Sequence, residues 1–234
     1  MRRFGFALAL LLPVIVLTLA LACGDGSEEA PSGATRQATA APSAAQTSAK
    51  AAASTFAPAK PGCAEAAGTV PEVRMKKYSQ RPPMSIDPQK KYTATVRTVR
   101  GDFVVDLRPD LAPEHVNSFV FLARERFFDG VTFHRVEPGF VIQSGDPTGT
   151  GRGDGPGYTL PAEFTRQETF VRGVVGMART ADPNSAGSQW FVTLGDAHHL
   201  DGQYTIFGKI ASGMEVVDCI QRGDAIIGIE ISEQ

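Results

Sequence analysis

The sequence lacks an excess of charge of either sign. Its 234 residues carry 23 Lys and Arg against 25 Asp and Glu, so the formal net charge is only −2. Proteins that bind nucleic acid through its phosphates usually present a strongly basic surface. The charge balance therefore predicts that nucleic acid is not a partner.

Phosphate-binding motifs are also missing, although one segment is rich in glycine. Residues 145–157 read G-D-P-T-G-T-G-R-G-D-G-P-G, and they match neither G-x-G-x-x-G nor G-x-x-x-x-G-K-[ST]. Glycine readily adopts positive φ, which tight turns require. We therefore predict a long surface loop with several positive-φ turns.

Motifs for metal-dependent or nucleophilic hydrolysis are missing as well. The candidates are His198, His199 and Asp201 for a metal, and His134, Ser144 and Asp146 for a triad. Adjacent histidines on a strand point to opposite faces, and the sequence has no H-E-x-x-H or nucleophile-elbow motif. We predict neither site, and we expect no metal and no cofactor.

Only three cysteines are present. Cys23 belongs to the N-terminal segment, so Cys63 and Cys219 remain as an even pair. In an oxidising compartment they could form a disulfide that links the N-terminal region to the domain. Equally, Cys219 could pack as a small apolar residue and leave Cys63 unpaired.

Residues 1–23 have the pattern of a secretory signal peptide. Arg2 and Arg3 precede an apolar run that ends in Ala20-Leu21-Ala22-Cys23, which is similar to a bacterial lipobox. We predict a lipoprotein signal peptide, lipidation of Cys23, and an extracytoplasmic protein anchored to a bacterial membrane. A signal peptide cleaved without lipidation and an uncleaved membrane anchor are the alternatives.

Residues 24–88 contain little that could form a core. Ala, Ser, Thr, Pro and Gln dominate, with scarcely any large apolar residue before Val70. Such a segment cannot offset its ordering entropy by burial. We predict a low-complexity, flexible, disordered tether that continues into an extended arm, Pro71–Asp87, which could lie against the domain.

Residues 89–234 have the size and composition of one domain. Tyr92–Arg100 and Asp102–Arg108 alternate in polarity around Gly101, which predicts an antiparallel hairpin. This turn explains the tripeptide Arg100-Gly101-Asp102, to which we assign no function.

A helix is predicted over Asp110–Phe127. Pro113 and Glu114 suit a first turn, and apolar residues recur at helical spacing behind them. We expect His115 and Asn117 to lie on the outer face, without chemical partners.

The remaining pattern is that of short strands and one further helix. Strands are predicted within 133–147 and at 173–178, 189–194, 205–210 and 225–232, with a helix at 214–222. Many strands with two helices indicate a mostly antiparallel β architecture, in which barrel closure would remove exposed edges. The strand pattern alone does not separate a barrel from a sandwich.

Several sequence blocks resemble the cyclophilin family of peptidyl-prolyl cis-trans isomerases. In order, they are F-H-R-V-E-P-G-F-V-I-Q-S-G-D-P, then G-M-A-R, N-S-A-G-S-Q-W-F-V-T and L-D-G-Q-Y-T-I-F-G, within about Tyr92–Ser232. The resemblance implies a mainly β fold, a closed eight-stranded antiparallel barrel capped by two helices. It also implies isomerisation of X-Pro bonds without a cofactor, on proline-containing segments of unfolded or exported proteins.

The resemblance assigns roles to individual positions. Arg135 matches the catalytic arginine, and Gln143 matches the glutamine that orients the arginine and the substrate. The proline pocket corresponds to Phe140, Val141, Phe191 and Leu200, and the rim that holds residues before the proline corresponds to Ala178, Arg179 and Gln189. Tyr204 and His199 complete the set, and His199 stands where drug-sensitive members have tryptophan, which implies weak cyclosporin binding.

An active isomerase is the first functional hypothesis, and we expect it to be a monomer. A non-catalytic module or chaperone that binds proline peptides in the same groove is the alternative, and a structural lipoprotein domain with a decayed site is a third. The presence of both Arg135 and Gln143 favours the enzyme.

Overall fold

The computed structural model describes residues 56–234. The predicted signal peptide (1–23) with its lipidation site Cys23, and residues 24–55 of the predicted tether, lie outside the described residues. Within 56–234, no helix is both long and apolar enough to cross a membrane.

Eight strands and two α-helices form the domain. The elements are β1 (Tyr92–Thr98), β2 (Gly101–Leu107), α1 (Pro113–Arg124), β3 (Arg135–Glu137), β4 (Val141–Ser144), β5 (Val174–Met177), β6 (Trp190–Thr193), a 3-10 turn (His198–Leu200), β7 (Ile206–Ser212), α2 (Met214–Cys219) and β8 (Ile226–Glu233). All paired strands are antiparallel, and their order in the single sheet is β3-β4-β6-β5-β7-β2-β1-β8. The predicted eight-stranded antiparallel architecture with two helices is confirmed.

The sheet curls until its two ends meet at a short seam. Residues 130–133, just before β3, and residues 223–226, just before β8, exchange four backbone hydrogen bonds of 2.8–2.9 Å. This pairing joins the sheet ends through the segments that lead into its outer strands. The choice between barrel and sandwich therefore depends on contacts between segments about 90 residues apart in sequence. Local sequence patterns do not predict contacts over such a separation.

Helix α1 covers one side of the barrel and packs its apolar face into the core. The Phe119 ring lies 5.2 Å from the ring of Phe207 and 6.0 Å from that of Trp190 (centroid distances). The helix ends at Arg124, three residues before the predicted end, because Arg126 adopts a left-handed conformation with φ 57°. The Phe127 and Arg126 amides then donate to the Leu122 and Ala123 carbonyls, which is the Schellman pattern of a helix C-terminus.

The predicted outward position of His115 and Asn117 is wrong. Both residues are buried. The backbone N–H of His115 donates to Glu163 at 3.0 Å, and Asn117 accepts from the Ser85 amide at 2.9 Å. The chain before β1 and the segment around Glu163 cover a further side of α1, beyond the one that packs into the core. The helix therefore has two buried faces, whereas its apolar pattern predicts one.

Helix α2 is also shorter than predicted, because it ends at Cys219 and not at Arg222. Ile220 has φ −55° and ψ 136°, which is an extended conformation. The Gln221 amide donates to the Asp224 carboxylate at 2.7 Å instead of continuing the helix.

Residues 56–70, for which composition predicts a flexible tether, lie against the domain. Cys63 and Cys219, which the sequence left open, form a disulfide across 156 positions with a Cα–Cα distance of 5.6 Å. Arg100 is fully buried in an ion pair with Asp224 at 2.8 Å and also donates to the Ala57 carbonyl at 2.6 Å. Contacts with distant residues, which composition cannot reveal, thus hold this segment.

Candidate active site

Strands β3 and β4 bring the two predicted catalytic side chains together. Arg135 and Gln143 are directly opposite in the antiparallel register, and β4 pairs on its other side with β6, where Gln143 faces Phe191. Because side chains of opposed residues lie on the same sheet face, the guanidinium and the amide meet there. Arg135 Nη1 donates to Gln143 Oε1 at 3.3 Å.

The guanidinium of Arg135 has a second partner that sequence reasoning missed. Glu137 Oε1 accepts a hydrogen bond from Arg135 Nε at 2.8 Å and forms an ion pair with Nη2, also at 2.8 Å. The side chains are 43% and 50% exposed, so solvent weakens this ion pair. Residues two positions apart on a strand have their side chains on the same face of the sheet. The spacing of Arg135 and Glu137 is therefore the signal that could have identified Glu137.

A chain of hydrogen bonds orients the amide groups behind Arg135. Gln143 Nε2 donates to Gln189 Oε1 at 2.9 Å, and Gln189 Nε2 donates to the Gly151 carbonyl at 3.2 Å. Each amide therefore has its oxygen on the side of Arg135 and its nitrogen on the far side. These hydrogen bonds connect β3 to the glycine-rich loop, through Arg135, Gln143, Gln189 and Gly151 in turn.

The predicted proline-pocket residues form an apolar cluster separate from the main core. Its buried members are Val141, Phe170, Val174, Phe191, Ala197, Leu200 and Ile206, and Leu111, Phe140, Val171, Ala178 and Tyr204 pack against them. The Phe191 ring stacks on Phe170 at 5.6 Å and meets Tyr204 edge-on at 5.9 Å. We refer to this group as the apolar cluster.

Arg135 lies at the border of this cluster. Its guanidinium carbon is 5.5 Å from the Phe140 ring centroid, and the His199 ring centroid lies 5.3 Å from that of Phe140. A cation beside an apolar surface is the combination that the resemblance predicts. The weak cyclosporin binding expected from His199 stays a prediction.

The predicted rim residues Ala178, Arg179 and Gln189 connect Tyr204 with Gln143. The Arg179 guanidinium stacks 4.6 Å from the Tyr204 ring and donates to the Gln203 carbonyl at 2.9 Å, while the Ala178 amide donates to the Gln189 carbonyl at 2.9 Å. Contacts thus join every site residue predicted within the domain into one continuous surface.

A cavity of about 420 Å³ adjoins this surface at Gln143, Ala178, Arg179 and Gln189. Its other wall includes Gly151–Gly155 and Tyr158 from the glycine-rich loop and the segment that follows. Of the apolar cluster it touches only Ala178, so the site has two neighbouring parts with Gln143 between them. One part is apolar, and the other is lined mostly by glycines and by polar or charged side chains.

Asp146 holds the glycine-rich loop in shape. Its carboxylate accepts from the amides of Thr148 at 2.9 Å, Gly151 at 2.7 Å and Gly153 at 3.1 Å. Burial alone raises the pKa of Asp146, but these hydrogen bonds outweigh it and lower the pKa below its ordinary value. Because the loop amides bind an internal carboxylate, they are unavailable to a phosphate, and five loop glycines have positive φ, as predicted.

The residues considered for other chemistries do not converge. Ser144 Oγ donates to the Thr132 carbonyl at 3.0 Å, and neither ring nitrogen of His134 has a hydrogen-bond partner among residues 56–234. Burial lowers the pKa of His134. His198 contacts Asp201 at 3.1 Å, and in the described part of the chain no group of three His, Cys, Asp or Glu side chains could hold a metal ion.

Comparison with known proteins identifies the family. The sequence model of the family described as cyclophilin type peptidyl-prolyl cis-trans isomerase/CLD matches residues 93–229, which is more than half of the chain. The chain belongs to the cyclophilin-type peptidyl-prolyl cis-trans isomerase family. This cyclophilin contains the family's domain together with a segment before residue 93 that the family model does not cover.

Individual relatives agree with this assignment. A probable peptidyl-prolyl cis-trans isomerase from Brucella suis is 47% identical over 150 residues, which are 58% of this chain and 74% of the relative. A peptidyl-prolyl cis-trans isomerase from Helicobacter pylori is 43% identical over 142 residues, covering 59% of this chain and 86% of the relative. A cyclophilin from Cryptosporidium parvum, crystallised in the presence of the dipeptide Ala-Pro, matches the fold with a TM-score of 0.57 at 29% identity, covering 61% of this chain and 99% of that one. The chain is therefore a cyclophilin-type peptidyl-prolyl cis-trans isomerase.

Proposed function

We propose that this isomerase accelerates rotation of X-Pro bonds in exported proteins, using Arg135 and Gln143 beside the apolar cluster. The observation that carries the proposal is the position of the Arg135 guanidinium, 5.5 Å from the Phe140 ring at the border of that cluster. A proline ring in the apolar cluster would bring its amide nitrogen near a cation. Residues before the proline would then extend past Gln143 towards the cavity.

The chemistry requires no nucleophile, because no covalent bond is broken. Amide resonance opposes twisting with a barrier of about 18–20 kcal/mol, and each reduction of about 1.4 kcal/mol gives a tenfold faster reaction. Twisting removes the nitrogen lone pair from resonance, so a cation near that nitrogen stabilises the twisted form more than either planar isomer. Gln143 contributes by holding Arg135 in place through its Oε1 atom.

The role of Arg135 can be tested by separating rate from affinity. In Arg135→Ala we expect kcat to fall about 100-fold, the scale of one lost electrostatic donor, with little change in KM. Cis-trans exchange of an X-Pro peptide, measured by NMR, gives both values. Arg97→Ala is the matched control, since Arg97 pairs with Glu230 on β8, away from the site. Equal losses of rate and affinity would contradict the assignment.

Binding without turnover is the second candidate function. The ion pair between Arg135 and Glu137 favours it, because a guanidinium already paired with a carboxylate offers less charge to a twisted amide. If the wild-type protein binds X-Pro peptides but exchanges them no faster than the uncatalysed reaction, this second function holds and the first is wrong.

We also propose that the mature protein lies outside the cytoplasmic membrane, anchored by lipid on Cys23 and acting as a monomer. The support is the basic, apolar and small-residue pattern of residues 1–23, together with the disulfide between Cys63 and Cys219, since disulfides persist in oxidising compartments. Mass spectrometry of the mature N-terminus tests it. A mature chain that starts at an unmodified residue would exclude the lipid anchor, and light scattering tests the monomer.

A further inference from the structure

The predicted extended arm, Pro71–Asp87, lies before the residues matched by the family model. The arm begins after the disulfide-linked segment, passes over α1 and ends just before β1. Its far end is held by Asn117, which accepts from the Ser85 amide at 2.9 Å and donates to the Pro83 carbonyl at 3.0 Å. The arm is thus fixed to the domain both before and after its middle part.

The middle of the arm contacts the glycine-rich loop directly. The Tyr78 amide donates to the Pro156 carbonyl at 2.8 Å, and Lys77 Nζ donates to the Gly155 carbonyl at 2.8 Å. Gly157 has φ 96°, and a Cβ on it would lie 2.6 Å from the Tyr78 carbonyl oxygen. The arm backbone therefore lies so close to residue 157 that only glycine fits at this position.

Tyr78 also joins the loop to α1. Its ring lies edge-on to Phe121 of α1 at 5.0 Å and 6.4 Å from the ring of Tyr158. Tyr158 in turn shares a hydrogen bond of 2.9 Å with Ser118 of α1. One aromatic side chain of the arm thus packs between the helix and the segment that follows the loop.

The same loop segment forms one wall of the 420 Å³ cavity. Gly155 and Tyr158 line it on the side of the arm, and Gln143 and Gln189 line it on the side of β4 and β6. Gln189 reaches the loop through the Gly151 carbonyl. The width of the cavity therefore depends on two sets of contacts, one from the barrel and one from the arm.

We propose that Lys77 and Tyr78 are positioning residues for this reaction: they hold the outer wall of the cavity, and so set affinity for substrates with large side chains before the proline. The proposal rests on the proposed function, in which residues before the proline extend past Gln143. Small side chains leave the cavity mostly empty, and their affinity does not depend on where the wall lies. Catalysis at Arg135 does not depend on the arm.

The test compares the full-length protein with its Lys77→Ala and Tyr78→Ala variants. The substrates are a series of X-Pro peptides in which each of the three residues before the proline is changed in turn from Ala to Phe. We expect KM to rise about threefold to tenfold, the scale of one lost hydrogen bond, for Phe at one of these positions. KM for the all-Ala peptide and kcat for all peptides should stay at the wild-type level. Tyr78→Phe, which keeps the ring, should restore the wild-type KM.

Lys76→Ala is the matched control, because Lys76 is the neighbouring arm lysine but pairs at 2.9 Å with Glu125, directly after α1, and not with the loop. If Lys77→Ala and Tyr78→Ala leave KM unchanged for every peptide, or lower kcat equally for all of them, the positioning role is wrong. Wild-type turnover with loss in Arg135→Ala would still support the proposed function in that case, so the two failures can be told apart.

Discussion

Removing the charge of Glu137 should make this isomerase faster. One Glu137 oxygen accepts a hydrogen bond from Arg135 Nε at 2.8 Å and lies 2.8 Å from Nη2, so the resting guanidinium is partly neutralised. In Glu137→Gln an acceptor oxygen of the same reach remains, while the negative charge is lost. Gln143 and the Phe140 ring still hold Arg135 in place.

The magnitude follows from the exposure of the pair. An ion pair whose side chains are 43% and 50% exposed contributes about 0.2–1 kcal/mol. If that interaction is weakened when Arg135 turns towards the twisted amide, its removal lowers the barrier by up to the same amount. This corresponds to an increase in kcat of about 1.4-fold to 5-fold. The gain should shrink in about 1 M salt, where the Debye length is only about 3 Å.

The assay is cis-trans exchange of an X-Pro peptide at low and high salt. Glu230→Gln is the control, since Glu230 pairs with Arg97 at 2.9 Å on another part of the barrel and is similarly exposed. A kcat that stays constant or falls in Glu137→Gln would refute the reasoning, because Glu137 would then orient Arg135 rather than compete for it.

Two further predictions concern stability. Arg100→Met should lower the free energy of unfolding by about 3–5 kcal/mol, because it leaves the buried Asp224 without its partner; urea unfolding measures this, and a near-zero loss would contradict the burial argument. Burial raises the pKa of Asp146, but hydrogen bonds from Thr148 and the loop amides lower it overall. A depressed pKa in the folded state contributes stability above the unfolded-state pKa, and this is lost as pH falls through the folded-state value. The free energy of unfolding should therefore fall in acid. Asp146→Asn should make the free energy of unfolding depend less on pH in that range, and a variant with the same pH dependence as the wild type would exclude the effect.

Local patterns were sufficient for most secondary structure. Alternation predicted β1 and β2 around Gly101, and helical spacing predicted α1, because these periods follow from backbone geometry within one element. The ends were less predictable. Helix α1 stops early because Arg126 turns left-handed, and α2 stops early because Asp224 binds the Gln221 amide.

The site was partly predictable for the same reason. Arg135 and Gln143 lie on two strands joined by a short turn, so their meeting follows from strand pairing alone. The partner Glu137 was missed although it is two residues from Arg135. Its importance depends on where the Arg135 side chain points, which the strand period does not specify.

The sequence by itself determined the family, the pattern of strands and helices, and which cation lies beside an apolar surface. These features depend on short sequence motifs and on the local periodicity of apolar residues. Tertiary structure decided how the barrel closes, the burial of Arg100, His115 and Asn117, and the disulfide between Cys63 and Cys219. It also decided that the arm contacts the wall of the cavity through Lys77 and Tyr78. Each of these features joins residues tens to more than a hundred positions apart, and such contacts form only when the whole chain has folded.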